Sequence, residues 1–262
     1  MSQEFRDLYG PTALVTGASS GIGRAFAEEL AARGVNLILV ARRIDRLEVL
    51  AERLEDKHRI SVMPLEVDLA DPTATARILN ATASVDVGLL VSNAGFGSKG
   101  PFEADDPAVM TQMLAVNAQA TMLLAHGFAP RLKARGRGGI ILTSSVEGLI
   151  GCPYSAVYSA TKAFVNALGE ALWGELTPEG IDVLTLCPGA TESEAAAKQG
   201  LDPAAMTNQQ APEEVARLTL DNLRNGPTYI PHAHYKAMFE QILAMPRPQA
   251  LVAMAKGMKK PG

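Results

Sequence analysis

The sequence predicts an α/β protein built on a doubly wound parallel sheet, and three observations carry that prediction. Short β-rich runs alternate with stretches of helical periodicity along the chain. The first run, ending at Thr16, passes through the glycine-rich turn Gly17-Ala18-Ser19-Ser20-Gly21-Ile22-Gly23 into an alanine-rich amphipathic segment that stops at Gly34, so strand, turn and helix follow one another. The 262 residues, 47% hydrophobic and 20% charged, can bury one sizeable core and need no second domain.

Each element follows from its own stretch. The runs near 12–16 and 36–41, the latter ending in Leu37-Ile38-Leu39-Val40-Ala41, are predominantly apolar segments of strand length. Further strands are expected near 60–67, 87–92, 138–144, 181–187 and 228–231, about seven in all. Helical periodicity fills the intervals near 22–33, 44–56, 72–83, 107–135, 155–178 and 212–225. The two longest helices carry Met110, Met113, Leu114, Leu123 and Leu124, and Phe164, Leu168, Leu172 and Trp173, more apolar surface than one sheet face requires. They predict a homodimer or homotetramer. A helical tail over 232–262 places Met238, Phe239, Ile242 and Leu243 at helical spacing, then Met245-Pro246-Arg247-Pro248, then Leu251, Val252, Met254 and Met258 before Lys259 and Lys260. It reads either as a helix pair that packs between subunits or covers a pocket, which its lack of a strongly basic face favours, or as an amphipathic helix touching lipid. There is no internal repeat, low-complexity tract or flexible linker, so a single domain over 1–262 is expected.

Composition excludes several functions. A net charge of −4 and a pI near 5.6 give no basic face for nucleic acid. Cys152 and Cys187 are too few for a disulfide framework and stand in apolar surroundings, as reduced thiols of a cytoplasmic protein would. The N-terminus, Met1 to Asp7, lacks the charged and apolar regions of a signal peptide. No apolar run is expected to reach the roughly 18 residues of a membrane span. Of the four histidines only His232 and His234 are close, at a spacing unlike that of a helical zinc pair, so no metal site is expected.

Two motifs carry chemistry. In the turn, Gly17 permits a tight bend, Gly21 lets backbone approach a pyrophosphate, and Gly23 lets the helix pack closely on the strand with its free N–H groups facing phosphate. In Tyr158-Ser159-Ala160-Thr161-Lys162, a phenol and an amine four residues apart share one helix face. An ammonium held near a phenol favours the phenolate, and such a pair exchanges protons with a carbonyl or alcohol. In an open α/β sheet, ligand belongs beyond the carboxyl ends of the strands. The glycine turn, Asn93 to Gly97, Ser145 and Pro188 all follow strands there.

With these motifs the chain resembles the short-chain dehydrogenase/reductase family, whose fold is of the Rossmann type. The family's Thr-Gly-x-x-x-Gly-x-Gly matches Thr16, Gly17, Gly21 and Gly23, and its Tyr-x-x-x-Lys matches Tyr158 and Lys162. The serine thirteen residues before the tyrosine is Ser145, the helix asparagine is Asn117, and Pro188-Gly189 stands where the family has its Pro-Gly loop. Ser92-Asn93-Ala94-Gly95 has serine where Asn-Asn-Ala-Gly is usual, and Ser193 stands where threonine is commoner, keeping a hydroxyl for the pyrophosphate. The resemblance implies a carbonyl–alcohol oxidoreductase working as a reductase, in which Tyr158 is general acid or base and Ser145 hydrogen-bonds the substrate oxygen; the alternative is a nucleotide-binding sensor or regulatory protein of the same fold without chemistry, which need not keep Tyr158, Lys162, Ser145 and Asn117 together. Lys162 would lower the phenol's pKa and bind the nicotinamide ribose, and Asn117 would hold a water that refills the proton. It also places Ser19, Ser20, Ile22, Asp68, Leu69, Asn93, Ala94, Gly95, Pro188, Gly189, Thr191 and Ser193 along the cofactor.

Cofactor choice is read at the end of the second strand. An NAD site puts a carboxylate there for the adenosine ribose, and this chain has Ala41 followed by Arg42 and Arg43, whose guanidinium groups suit a 2′-phosphate assisted by Ser19 and Ser20. NADP(H) is therefore expected. Asp68 either contacts the adenine or caps the next helix. Between adjacent Ser144 and Ser145, strand alternation lets only one face Tyr158, and spacing selects Ser145. Phe96 to Phe102, Gly148 to Tyr154 and a covering segment near 190–210 supply expected pocket walls, including Phe96, Phe102, Leu149, Ile150, Pro153, Tyr154, Leu201 and Met206. Glu147, Glu192 and Glu194 either touch a polar substrate, contact a neighbouring helix end or are solvated. These walls suit an apolar ketone, aldehyde or alcohol.

Overall fold

Seven short apolar runs, rich in β-branched residues, form the strands of one parallel sheet in the computed structural model, which describes residues 2–194 and 208–258. The strands are β1 (Thr12–Thr16), β2 (Asn36–Ala41), β3 (Val62–Glu66), β4 (Val87–Ser92), β5 (Gly138–Thr143), β6 (Ile181–Leu186) and β7 (Thr228–Tyr229). Their order, β3-β2-β1-β4-β5-β6-β7, reverses between β1 and β4, so a crevice opens there at the carboxyl ends. Parallel registers such as Thr16↔Val40, Val15↔Val91 and Thr143↔Leu186 bring those ends level.

Both faces are covered, which is why the middles of the central strands, such as Ala13 to Val15, Leu89 to Val91 and Ile140 to Leu142, are apolar on both sides. Ala13, Val15, Leu37 and Leu39 meet α1 (Ser2–Tyr9), α2 (Gly21–Ala32), α3 (Ile44–His58) and α8 (Pro212–Asp221) in one core. Leu14, Ile38, Val40 and Ile140 meet α4 (Ala74–Ala81), α6 (Ala120–Arg135) and α7 (Ala156–Leu176) in the other. Two elements shrink from expectation: β3, an edge strand where Pro64 is tolerated, and β7, only two residues long.

Three differences matter. Helix α1 was not expected; Phe5 and Tyr9, one turn apart, bury its inner face, and the Tyr9 hydroxyl donates to Asp182 Oδ2 at 2.6 Å. The expected helix 107–135 is α5 (Pro107–Leu114) and α6 joined by a π-helical turn, Ala115–Gln119. Contrary to the expectation of no span-length apolar run, Pro107–Arg135 is long and apolar enough to cross a membrane by composition. In the fold it is a core helix, with Met113, Leu124, Phe128 and Leu132 at 0% exposure and its polar Asn117 and Thr121 hydrogen-bonded inside the domain.

The tail forms α9 (Ala233–Ala244) and α10 (Arg247–Met258). Phe239, Met238, Ile242 and Leu251 pack with Val146, Ile150, Cys152 and Cys187, so the tail lies on the loops that follow β5 and β6. Leu201 and Met206, expected to line a pocket, and Lys259 and Lys260 lie outside the described residues.

Candidate active site

The glycine turn closes on itself where side chains cannot fit. Gly17 and Gly21 adopt φ of +70° and +53°, and a Cβ on Gly23 would stand 2.3 Å from the Gly17 carbonyl oxygen. Thr16 ties this turn to the loop after β4: its hydroxyl accepts from the backbone N–H groups of Asn93 and Ala94 at 2.9 and 3.0 Å, and its carbonyl accepts from Asn93 Nδ2 at 3.1 Å. Ser92, at the position that departs from the family pattern, hydrogen-bonds Thr121 instead. Ser193 crosses the turn, with its Cβ 3.3 Å from where a Gly21 Cβ would lie.

At the end of β2 the two arginines part. Arg43 donates to Ser19 Oγ and Ser20 Oγ, each at 2.9 Å from Nη2, so it belongs to the glycine turn. Arg42 is 66% exposed and faces Asp68 at 4.0 Å. Asp68 accepts from the Ala70 N–H, while Asp71 accepts from Thr73 N ahead of α4. Arg46, absent from the sequence expectations, lines a cavity of about 410 Å³ with Ser19, Arg24, Asp45 and Arg53. Its spacing of three residues from Arg43 on a helix start was the signal that could have found it.

The second cluster gathers where β4 and β5 end. The π turn aims Asn117 at the loop: Oδ1 accepts from Phe96 N at 3.0 Å, and Nδ2 donates to Phe96 O at 2.8 Å and Thr161 Oγ1 at 3.1 Å. Lys162 is 3% exposed, and its amine donates to the Thr143 carbonyl at 2.8 Å. A Cβ on Gly95 would lie 3.1 Å from Asn117 Oδ1 and 3.2 Å from Lys162 Nζ, so glycine keeps that approach open. Ser144 and Ser145 do diverge: Ser144 Oγ donates to the Lys162 carbonyl at 2.8 Å, while Ser145 Oγ accepts from Glu147 N at 3.1 Å and stands beside the Tyr158 phenol. The Gly97 backbone covers the Tyr158 ring, leaving 2.9 Å to a hypothetical Cβ.

Two ammonium groups flank that ring, Lys162 at 5.7 Å and Lys99 at 5.9 Å from its centroid. Lys99 is neutralised by both oxygens of Glu147, at 2.7 and 2.6 Å, and also meets Ser155 Oγ at 3.1 Å. Lys99 belongs to the Phe96 to Phe102 stretch expected as a pocket wall, and its pairing with Glu147 is what the sequence did not announce. The expected lowering of the phenol pKa by Lys162 is overturned. Burial holds the Tyr158 phenol well above its ordinary value, the Glu147 charge adds to this, and Ser145 works the other way. Lys162 is itself pulled down to about 8 by burial, so its own charge is disfavoured.

Among expected pocket walls, Phe96 and Tyr154 are partly buried around the site, with the Tyr154 carbonyl accepting from Gly100 N at 2.9 Å. Two do not serve. Phe102 is exposed, and Ile150 is buried against the tail. Tyr235 of α9 covers Gly189 so closely that a Cβ there would fall 2.1 Å from its ring, and Thr191 pairs with Gln210 in a short bridge. Among the described residues no cluster of metal-ligating side chains occurs.

The short chain dehydrogenase family model matches residues 11–204. This chain belongs to that family. As a short-chain dehydrogenase it is an oxidoreductase acting on hydroxyl or carbonyl groups. It is 31% identical over 253 residues to a 7beta-hydroxysteroid dehydrogenase of Clostridium sardiniense, covering 96% of this chain and 97% of that protein. A short-chain dehydrogenase from Sphingobium yanoikuyae, solved in complex with NADPH, is 34% identical with a TM-score of 0.83 over 93% of this chain and 95% of the other. A bulky-bulky ketone specific alcohol dehydrogenase from Comamonas testosteroni is 30% identical with a TM-score of 0.78 over 97% of each chain. The residues fit a dinucleotide phosphate on their own terms: a turn too tight for side chains bordered by Ser19, Ser20 and Arg43, and an amine-lined recess at Gly95.

Proposed function

We propose that this dehydrogenase uses NADP(H) and reduces the carbonyl of an apolar, bulky substrate, with Tyr158 as general acid. One observation carries the reading: the buried Tyr158 phenol stands beside the Ser145 hydroxyl at the open end of the sheet, with Lys162 and Asn117 behind it. A protonated phenol suits donation to an alkoxide forming during reduction.

Bound NADPH supplies the hydride. Gly17, Gly21, Gly23, Ser193 and Thr191 hold the pyrophosphate, Arg43 with Ser19 and Ser20 holds the 2′-phosphate, and Asn93 to Gly95 with Pro188 and Gly189 border the nicotinamide end. Ile22, Asp68, Leu69 and the more exposed Arg42 flank the adenosine. Ser145 donates to the substrate oxygen where charge develops. Lys162 binds the ribose hydroxyls and, through a water on the remaining lone pair of Asn117 Oδ1, returns a proton to the phenol. Phe96, Tyr154 and Glu147 border the substrate.

A bulky apolar substrate is supported by the relatives' own substrates, a hydroxysteroid and bulky ketones, and by the tail, which extends apolar surface over the site loops. Burial pushes the two free thiols up to about 12, so they stay protonated, as suits a cytoplasmic chain. Leu114, Met122, Phe164 and Trp173 remain exposed on α5 to α7 and supply an interface for a homodimer or homotetramer, whereas Met113 and Leu124 belong to the core. The functional test is NADPH consumption across ketones and aldehydes of graded length and polarity. Turnover should rise with apolar bulk; inertness toward all would leave a cofactor-binding protein without chemistry.

A further inference from the structure

Glu194 reaches from the segment after β6 to the end of β2. Its Oε2 lies 2.8 Å from Arg43 Nη1 and its Oε1 lies 2.5 Å from Arg46 Nη1. The same Arg43 guanidinium holds the Ser19 and Ser20 hydroxyls. Two guanidinium groups, one of them already bound to two hydroxyls, therefore meet on one carboxylate. That donor set has the geometry and charge to hold a phosphate. Arg42 takes no part, since it points to Asp68.

We propose that Glu194 is a specificity-determining residue of the cofactor groove: its carboxylate and the 2′-phosphate of NADP(H) are rival anions for Arg43 and Arg46. This rests on the NADP(H) reading above. A phosphate entering the corner either turns Glu194 away, breaking two ion pairs, or shares the arginines with a like charge. Both routes weaken binding of NADP(H). Neither burdens NAD(H), which brings a hydroxyl to the same place. Glu194 thus restrains the preference for the phosphorylated cofactor, and Arg46, in the first turn of α3, increases it. All three side chains are 32% to 45% exposed, so solvent screens the contest and its size is that of surface ion pairs.

The test uses the full chain with adenosine 2′,5′-bisphosphate and adenosine 5′-monophosphate, whose affinities are measured calorimetrically without any turnover. Glu194→Gln should tighten the bisphosphate about three- to tenfold at low salt, leave the monophosphate within about twofold, and lose most of its advantage in about 0.5 M sodium chloride. Arg46→Gln should weaken the bisphosphate by a similar factor and spare the monophosphate. If wild type binds both nucleotides equally, the NADP(H) reading itself fails. If wild type prefers the bisphosphate but Glu194→Gln changes both ligands alike, neither, or weakens the bisphosphate, Glu194 is not a rival anion.

Discussion

Replacing Lys162 by methionine should stabilise the fold while removing the enzyme's function. The amine is 3% exposed, and its pKa falls from 10.5 to about 8 because burial penalises the charge. At about 1.4 kcal/mol for each pH unit, holding the proton below pH 8 costs the native state on the order of 3 kcal/mol. The unfolded chain keeps that proton until about 10.5 and the folded chain only until about 8. Between those values the unfolded state binds more protons, so wild-type stability from this group rises as pH climbs through the window. Methionine abolishes the penalty but leaves the Thr143 carbonyl, which accepts from Nζ at 2.8 Å, without that donor. An unsatisfied acceptor offsets about 1–3 kcal/mol of the gain. The net gain at pH 7 is about 1 kcal/mol, or about 2–4 °C in Tm for a chain of this size. Urea denaturation of both proteins at pH 7 and pH 10 separates the two effects, since lost packing is common to both pH values. The advantage of Lys162→Met should be about 2 kcal/mol larger at pH 7 than at pH 10. A difference below about 0.5 kcal/mol, or one of opposite sign, would refute the claim that Lys162 is a strained cation.

Three further outcomes are expected. Gly23→Ala puts a methyl 2.3 Å from the Gly17 oxygen and 2.6 Å from Asn93 Nδ2, so it should cost about 1–3 kcal/mol and weaken NADPH binding, checked by thermal melting and fluorescence titration; wild-type values in both would contradict the packing argument. Glu147→Gln removes a charge that raises the Tyr158 pKa, so the pH at which reduction falls off should move down, with an unmoved profile counting against it. Light scattering should return a multiple of the 27.7 kDa chain, and a monomer at micromolar concentration would leave Phe164 and Trp173 without a partner.

Much of the scaffold was legible because its signals are local. Unbroken apolar runs mark strands buried on both faces, and a parallel sheet delivers every strand's carboxyl end to one edge. Thr16 meets Asn93, and Ser145 comes to Tyr158 at the start of α7, for that reason, although the partners are apart in sequence. Side-chain direction was partly legible too: alternation separates Ser144 from Ser145. The two arginines were expected together on the phosphate, and the structure corrects this, since Arg43 joins the glycine turn while Arg42 turns to Asp68. What escaped depends on tertiary surroundings. Helix α1 is one short turn pair held by Phe5 and Tyr9, and nothing in its eight residues announces the partner Asp182. The π turn at Asn117 is defined by contacts with Phe96 and Thr161 rather than by propensity. The protonation of Tyr158 was misjudged because spacing gives the distance to Lys162 but not the burial that dominates both groups.

The central claim is that Tyr158 delivers the proton. Tyr158→Phe removes one hydroxyl and keeps the ring that packs on Gly97. Single-turnover hydride transfer and NADPH affinity, measured on the same preparation, separate chemistry from binding. The rate should fall by about 10²–10⁴-fold while affinity stays within about twofold of wild type. A variant that keeps more than about a tenth of the wild-type rate would show that another group is the acid.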